Sequence, residues 1–123
     1  MNLTCIEIKA YVPAKDYSRS RQFYTDLGFE MRWDMPEACC FEQGPCRFIL
    51  QNFYEPAHAQ NCMMHLLVED AKAWYQTVEA NVITKYGVHL TPLETQPWGL
   101  LEFCLFDPSG VIWRIGQMLP AQT

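Results

Sequence analysis

The chain has 123 residues and a mass of 14.3 kDa, which is the size of one ordinary domain. Half of its residues are hydrophobic and 14% are aromatic, so it can bury a core, which argues against a disordered protein. The formal net charge of −5 and a pI near 5.0 argue against nucleic acid as the main partner, because phosphate binding needs a basic surface.

The sequence predicts neither a targeting segment nor a membrane helix. Its first residues mix charged and polar positions, and no apolar run approaches the roughly 20 residues that a membrane span requires. The six cysteines, at positions 5, 39, 40, 46, 62 and 104, contain no C-x-x-C pair. We therefore expect free thiols in a reducing cytoplasm rather than disulfides or a structural zinc site.

The first half of the chain predicts a strand, a helix and three more strands. Residues 6–12 alternate with a period of two, and Pro13 ends this strand. Asp16 or Ser18 caps a helix that Gly28 terminates. Turn sequences then separate three strand-like runs, at 29–33, 38–43 and 46–53.

The same order of elements is predicted again after a linker over residues 54–61. Residues 62–69 read as a strand, and Asp70 caps a helix with apolar positions at helical spacing. The pair Tyr86-Gly87 closes this helix. Three strands are predicted to follow, over 88–94, 99–106 and 111–117.

The repeated order predicts a single α+β domain over residues 1–123, with module one at about 3–53 and module two at about 62–117. Each module has one helix for four strands, so its helix covers only one face of its sheet. The other face must be covered when the two modules close around a shared cleft, or by a second chain. Whether the modules pair within one chain or are swapped between chains stays open.

Two groups of residues carry a family resemblance. The segment SRQFYTDLGF at 20–29 is one, and the motifs QPWG at 96–99, EF at 102–103 and DPSGVIWR at 107–114 are the other. They resemble motifs of the vicinal oxygen chelate superfamily. This superfamily includes glyoxalases, extradiol dioxygenases and the bleomycin resistance proteins, which act in antibiotic resistance. The likeness is greatest to the bleomycin resistance subgroup. It implies two βαβββ modules whose curled mixed sheets enclose a cleft.

The resemblance also implies where enzymes of this group hold a divalent metal. The corresponding positions here are Lys9, Met63, Arg114 and, at the end of the fourth strand, Gln51 or Leu50. Two cations and a soft thioether do not suit a hard metal ion, so we expect no metal, no cofactor and no catalytic residue. If a metal site existed, the least unfavourable set of ligands would be His65, Glu102 and Glu7. An enzymatic function remains an alternative, because Glu7 or Glu102 could act as a general base without a metal.

Strand alternation and loop position predict the side chains that line the cleft. They are Glu7, Lys9, Tyr11, Trp33, Phe41, Phe48, Met63, His65, Trp98, Glu102 and Arg114. On the same alternation, Ile8, Ala10 and Val12 pack against the first helix. An aromatic and methionine-rich lining with few charges suits a flat organic ligand.

Lys9 and Arg114 have two explanations at this point. Each could anchor an anion in the cleft, or each could form an internal ion pair with Glu7 or Glu102, because buried charges need compensation.

These expectations favour a metal-independent small-molecule binding protein of the bleomycin resistance type. It would sequester an aromatic or cationic compound in a hydrophobic cleft at a homodimer interface, and the net charge of −5 favours a cation through steering. One alternative is a glyoxalase- or dioxygenase-like enzyme, a lyase, isomerase or oxygenase with atypical or absent metal ligands. The other is a ligand-sensing or protein-interaction module.

Overall fold

The computed structural model describes residues 1–120, which form two four-stranded sheets, one from each half of the chain. The first sheet contains β1 (Tyr11–Pro13), β2 (Glu30–Asp34), β3 (Ala38–Gln43) and β4 (Cys46–Gln51), in the order β1-β4-β3-β2. The second contains β5 (Met63–Leu67), β6 (Glu94–Thr95), β7 (Leu100–Phe106) and β8 (Ile112–Met118), in the order β5-β8-β7-β6. In each sheet the first and last strands of the module pair in parallel and the other pairs are antiparallel. The predicted α+β class with two βαβββ modules is confirmed.

The first helix has the predicted start and stop. The Asp16 carboxylate accepts a hydrogen bond from the Arg19 amide at 3.0 Å, and α1 (Tyr17–Leu27) begins immediately after this cap. It ends at Gly28, whose φ of +114° lies in the left-handed region that glycine adopts without strain.

The second module repeats this arrangement with a longer helical segment. Asp70 accepts a hydrogen bond from the Ala73 amide and caps α3 (Ala71–Val78). A π-helical turn (Glu79–Ile83) and α4 (Thr84–Tyr86) continue the segment, and the π-helical turn packs against α1. Among the described residues, no helix has both the length and the apolar character of a membrane span.

The N-terminal strand is shorter than predicted. Residues 1–10 adopt no regular secondary structure, and only Tyr11–Pro13 pairs with β4. Ile8 is 95% exposed and Ala10 is also exposed, so the prediction that both pack against the first helix is wrong, whereas Val12 is fully buried. Apolar and polar residues do alternate in this segment. A strand also needs a neighbouring strand, and this segment has none within residues 1–120.

Two other segments also differ from prediction. The linker contains a short helix, α2 (Pro56–Asn61). Proline is favourable at the first position of a helix, because the backbone N–H that proline lacks has no partner within the helix there. In place of the strand expected over 88–94, the structure has an isolated bridge between Leu90 and Leu105 before the two-residue β6. Pro92 has no N–H to donate and interrupts a regular ladder at this point.

Both modules contribute to one hydrophobic core. Its fully buried large side chains include Phe23, Tyr24, Leu27, Phe41, Phe48, Leu50, Val78, Val82, Phe103, Leu105 and Ile115. The Tyr24 hydroxyl donates to Asp107 Oδ2 at 2.5 Å and accepts from Trp113 Nε1 at 2.8 Å. These buried hydrogen bonds connect the first helix to the last hairpin. The shared core covers one face of each sheet.

Candidate functional site

Within residues 1–120 each sheet leaves its other face partly exposed, because Cys40, Ile49 and Glu102 on these faces are buried while their neighbours reach solvent. Along β5, Met63, His65 and Leu67 are exposed while Leu66 is buried against the core. This alternation matches the predicted parity. The open faces carry most of the predicted site residues, and residues 1–120 of one chain do not close them into a cavity.

Three ionisable side chains meet on the open face of the second sheet. The strand register places His65 of β5 beside Arg114 of β8, and Glu102 lies on the next strand, β7. Arg114 Nε is 3.5 Å from Glu102 Oε1, and His65 Nε2 is 3.8 Å from Glu102 Oε2. The Glu102 side chain is only 3% exposed, against 36% for Arg114 and 48% for His65. The carboxylate is therefore the buried member of the group, and the two basic side chains reach solvent.

Trp98 extends this cluster with an aromatic surface. It lies in the turn before β7 and is 56% exposed. The guanidinium carbon of Arg114 is 5.4 Å from the centroid of the Trp98 ring, a distance typical of a cation–π contact. Four of the predicted residues, His65, Trp98, Glu102 and Arg114, thus come together.

A second charged group lies at the first sheet. The Glu7 carboxylate is 3.1 Å from Lys9 Nζ and 3.4 Å from Arg47 Nη1, and the Lys9 contact is the main reason that the pKa of Glu7 is lowered. Arg47 also binds Glu42 through Nε at 2.5 Å, and Arg32 lies 3.5 Å from the same carboxylate. Lys9 and Arg114 were each predicted either to anchor an anion or to form an internal ion pair. The structure contains the ion pairs, Lys9 with Glu7 and Arg114 with Glu102.

In the β3–β4 hairpin, the side chains that were predicted to face the cleft point into the core instead. Phe41 pairs with Phe48, and the next pair toward the turn is Glu42 with Arg47. The two phenylalanines are 0% and 2% exposed, so the structure places both in the core rather than on the open face, and only Phe48 borders the groove between β4 and β5. Glu42 and Arg47 face outward instead. Opposite charges directly across a tight turn were the sequence signal for this pair.

The remaining aromatic residues of the predicted site lie on the first sheet. Tyr11 is 55% exposed and Trp33 is 40% exposed. The register runs from Tyr11 through Ile49 and Cys40 to Trp33, which places them in one row across the sheet. Met63, 56% exposed, belongs to the second sheet.

A groove of about 210 Å³ separates the start of β4 from β5. Its lining residues are Phe29, Cys46, Arg47, Phe48, Met64, His65, Leu66, Leu67 and Trp113. It thus joins Arg47 of one open face to His65 of the other. Ligand pockets usually measure about 300–1,000 Å³, so this groove needs a further wall to enclose an organic ligand. Larger depressions of about 400 and 370 Å³ contain none of the predicted site residues.

The donor set does not fit a divalent metal. At the positions implied by the resemblance, Lys9 contacts Glu7, and Arg114 lies beside Glu102. Two cations repel a metal ion, and the Met63 thioether is a soft donor. In the part of the chain that the structure describes, no three His, Cys, Asp or Glu side chains are grouped to hold a metal.

Comparison with known proteins gives a family match. The sequence model described as the Glyoxalase/Bleomycin resistance protein/Dioxygenase superfamily matches residues 7–115. None of the curated protein sequences matches the chain.

Solved structures share the fold at low sequence identity. A bleomycin resistance determinant encoded on the transposon Tn5 has a TM-score of 0.80 and 20% identity, over 93% of this chain and 98% of that one. The bleomycin-binding protein from bleomycin-producing Streptomyces verticillus, complexed with copper(II)-bleomycin, has a TM-score of 0.77 and 22% identity, over 98% and 100%. A lactoylglutathione lyase from Agrobacterium tumefaciens has a TM-score of 0.68 and 18% identity, over 90% and 92%.

Proposed function

The chain belongs to the glyoxalase/bleomycin resistance protein/dioxygenase superfamily, and from this premise we propose that it is a metal-independent binding protein of the bleomycin resistance type. It sequesters an aromatic small molecule without transforming it, and it acts in the cytoplasm, where its six cysteines stay reduced. The observation that carries the proposal is the open face of the second sheet. There, exposed Trp98 and Met63 accompany the His65, Glu102 and Arg114 cluster, whereas the metal positions hold unsuitable donors.

Exposed aromatic rings support an aromatic ligand. Trp33 and Trp98 are 40% and 56% exposed, although burying such rings is favourable. A flat ligand stacked on them would cover part of this surface. The similar solved structures include bleomycin-binding proteins in complex with bleomycin and with copper(II)-bleomycin, which is consistent with such a role on this fold.

A homodimer supplies the missing wall of the cleft in this proposal. Leu3, Ile6 and Ile8 are 79%, 91% and 95% exposed, an apolar surface that is costly to leave in water. β1 pairs only with residues 49–51 of β4, so the start of β4 and the outer edge of β5 present unpaired strand edges on both sides of the groove. A second copy that lays its N-terminal segment against these edges would cover both features.

The proposal is tested by a tryptophan fluorescence titration on protein dialysed against EDTA. The ligands are a bleomycin-type glycopeptide and a panel of small aromatic compounds. We expect a saturable change at about one ligand per chain, because each dimer has two equivalent clefts. Trp98→Phe should remove most of the signal, whereas Trp74→Phe on α3, which packs against the core, should retain it. No response to any compound would refute the proposal.

One observation favours a second candidate, an enzyme that works without metal. The nearly buried Glu102 carboxylate accepts no hydrogen bond from residues 1–120, and His65 lies 3.8 Å away, an arrangement that suits a general base. The fold similarity to a lactoylglutathione lyase makes lactoylglutathione the first substrate to assay. Turnover that disappears in Glu102→Gln would favour this candidate, and the absence of turnover in the native chain would exclude this reaction.

A further inference from the structure

We propose that the open face of the second sheet selects aromatic ligands with a negative charge, which Arg114 anchors through a carboxylate while Trp98 stacks on the ring. This inference rests on the proposed binding function and specifies its ligand class. It replaces the cationic ligand that the net charge of the chain suggested.

The Arg114 guanidinium has donors to spare. It approaches Glu102 through Nε at 3.5 Å, and none of its nitrogens donates a hydrogen bond to any residue from 1 to 120. The two terminal nitrogens form a planar fork that matches the geometry of a carboxylate. The side chain is 36% exposed, so this fork is within reach of a ligand on the open face.

Glu102 acts as a positioning residue for this fork. Its side chain is 3% exposed, and the pairing with Arg114 compensates a carboxylate that is otherwise costly to bury. Because Glu102 attracts the Nε side of the guanidinium, it fixes which side of Arg114 is left for a ligand.

The apolar surroundings of Arg114 suit a ring system. Trp98, 56% exposed, lies 5.4 Å from the guanidinium carbon, and Arg114 covers only one part of its indole. Met63 and Leu67 flank His65 on the same face of β5 and are 56% and 50% exposed. An aromatic body can therefore rest on apolar side chains while its carboxylate reaches Arg114.

The charges around the cluster disfavour a cation. Glu102 is 3% exposed and lies beside Arg114, so a cationic ligand that approached this carboxylate would meet the like charge of Arg114. Two carboxylates oppose an anion, namely Glu102, whose charge is offset by Arg114, and Glu94, which lies across from Glu102 on β6. Glu94 is exposed, so water and salt screen its charge.

The test compares two probes that share a ring and differ in charge, 2-naphthoate and 2-naphthylmethylammonium, by isothermal titration calorimetry at equal ionic strength. We expect 2-naphthoate to bind about tenfold more tightly, because a charged bidentate hydrogen bond forms with only one probe. Arg114→Gln should remove this preference, and Arg114→Lys, which keeps the charge but loses the fork, should retain part of it. Glu94→Gln should strengthen 2-naphthoate binding slightly.

Two variants control for folding and for general loss of charge. Glu102→Gln with Arg114→Gln removes the buried charge together with its partner and should still lose the preference. Arg21→Gln removes an arginine that pairs with Asp34 on the first module, at 2.5 Å, and should leave 2-naphthoate binding unchanged. Tighter binding of the ammonium probe, or an unchanged preference in both Arg114→Gln variants, would overturn the inference while the binding function stands. If neither probe binds, the inference fails, and the fluorescence titration with the wider panel decides the proposed function separately.

Discussion

At the residue scale, the contact of Tyr24 with Asp107 is the most informative link between the modules. Both side chains are buried, and the Asp107 carboxylate also accepts hydrogen bonds from the Ser109 and Val111 amides at 2.8 and 2.9 Å. Burial is the main reason that the pKa of Asp107 is raised, and these donors oppose the rise. The network therefore holds the last turn of the chain against the first helix.

Replacing this tyrosine hydroxyl should destabilise the whole fold. Tyr24→Phe removes the donor to Asp107 and the acceptor for Trp113, and we expect it to lower the free energy of unfolding by about 1.5–3 kcal/mol. Urea denaturation measures this change. Tyr75→Phe is the control, because the Tyr75 ring packs on Phe103 and its hydroxyl bonds to no described residue. Equal effects of the two substitutions would contradict the assigned role.

Asp26 should make stability depend on pH. Its carboxylate accepts hydrogen bonds from Lys85 Nζ at 2.7 Å and from the Tyr86 hydroxyl at 2.6 Å, which lower its pKa. A carboxyl group with a lowered pKa stabilises the folded state above its unfolded pKa of about 3.9, and this contribution is lost as the pH falls through the folded pKa.

We therefore expect Asp26→Asn to cost about 1 kcal/mol at pH 7 and almost nothing near pH 2. Urea denaturation at both pH values measures the difference. A cost of the same size at both would show that the charge of Asp26 contributes nothing.

The candidate site was predictable residue by residue only where alternation could be anchored to the core. In β5 and β8, buried Leu66 and Trp113 fix the parity, so His65 and Arg114 were placed on the correct face. In the β3–β4 hairpin the parity depends on which residues close the turn. Gln43 pairs with Cys46, and hydrophobicity alone did not give this register, because residues 38–41 and 48–50 are apolar on both faces; the opposite charges of Glu42 and Arg47 were the usable signal.

At the element scale, helices were easier to predict than strands. Helix α1 carries its own cap at Asp16 and its own terminator at Gly28, so its bounds follow from local sequence. Residues 1–10 and 88–93 alternate or are apolar, but a strand also requires a partner in space. That partner is absent for the first segment within the described chain, and Pro92 limits pairing in the second.

The N-terminal segment should act in assembly rather than in folding of the chain. Ile6 and Ile8 make little contact with the described residues, so replacing both with aspartate should leave the thermal melting of the monomer nearly unchanged while it dissociates the proposed dimer. Sedimentation velocity measures the association. Substitution of the exposed Lys72 on α3, Lys72→Glu, changes the net charge by the same amount and should leave the dimer intact. A native chain that sediments as a monomer would contradict the proposed assembly.

At the scale of the whole molecule, the repeated order of strand, helix and three strands predicted two modules of the α+β class, and the family resemblance implied their curled mixed sheets. Each module covers one face of its sheet with helices and with the shared core, and this follows from the helix-to-strand ratio. How the open faces are covered did not follow, because no sequence pattern distinguishes closure within a chain from closure between two. Within residues 1–120 both faces remain partly exposed.

In the proposed function, two metal-free chains together hold a small aromatic molecule. Native mass spectrometry of EDTA-treated protein with metal-free bleomycin, and separately with 2-naphthoate, tests it most directly, because one spectrum reports the number of chains, ligands and metal ions. We predict a dimer with up to two ligands and no metal. A ligand held by a monomer, or bound only after a divalent metal is added, would refute metal-free binding by the dimer.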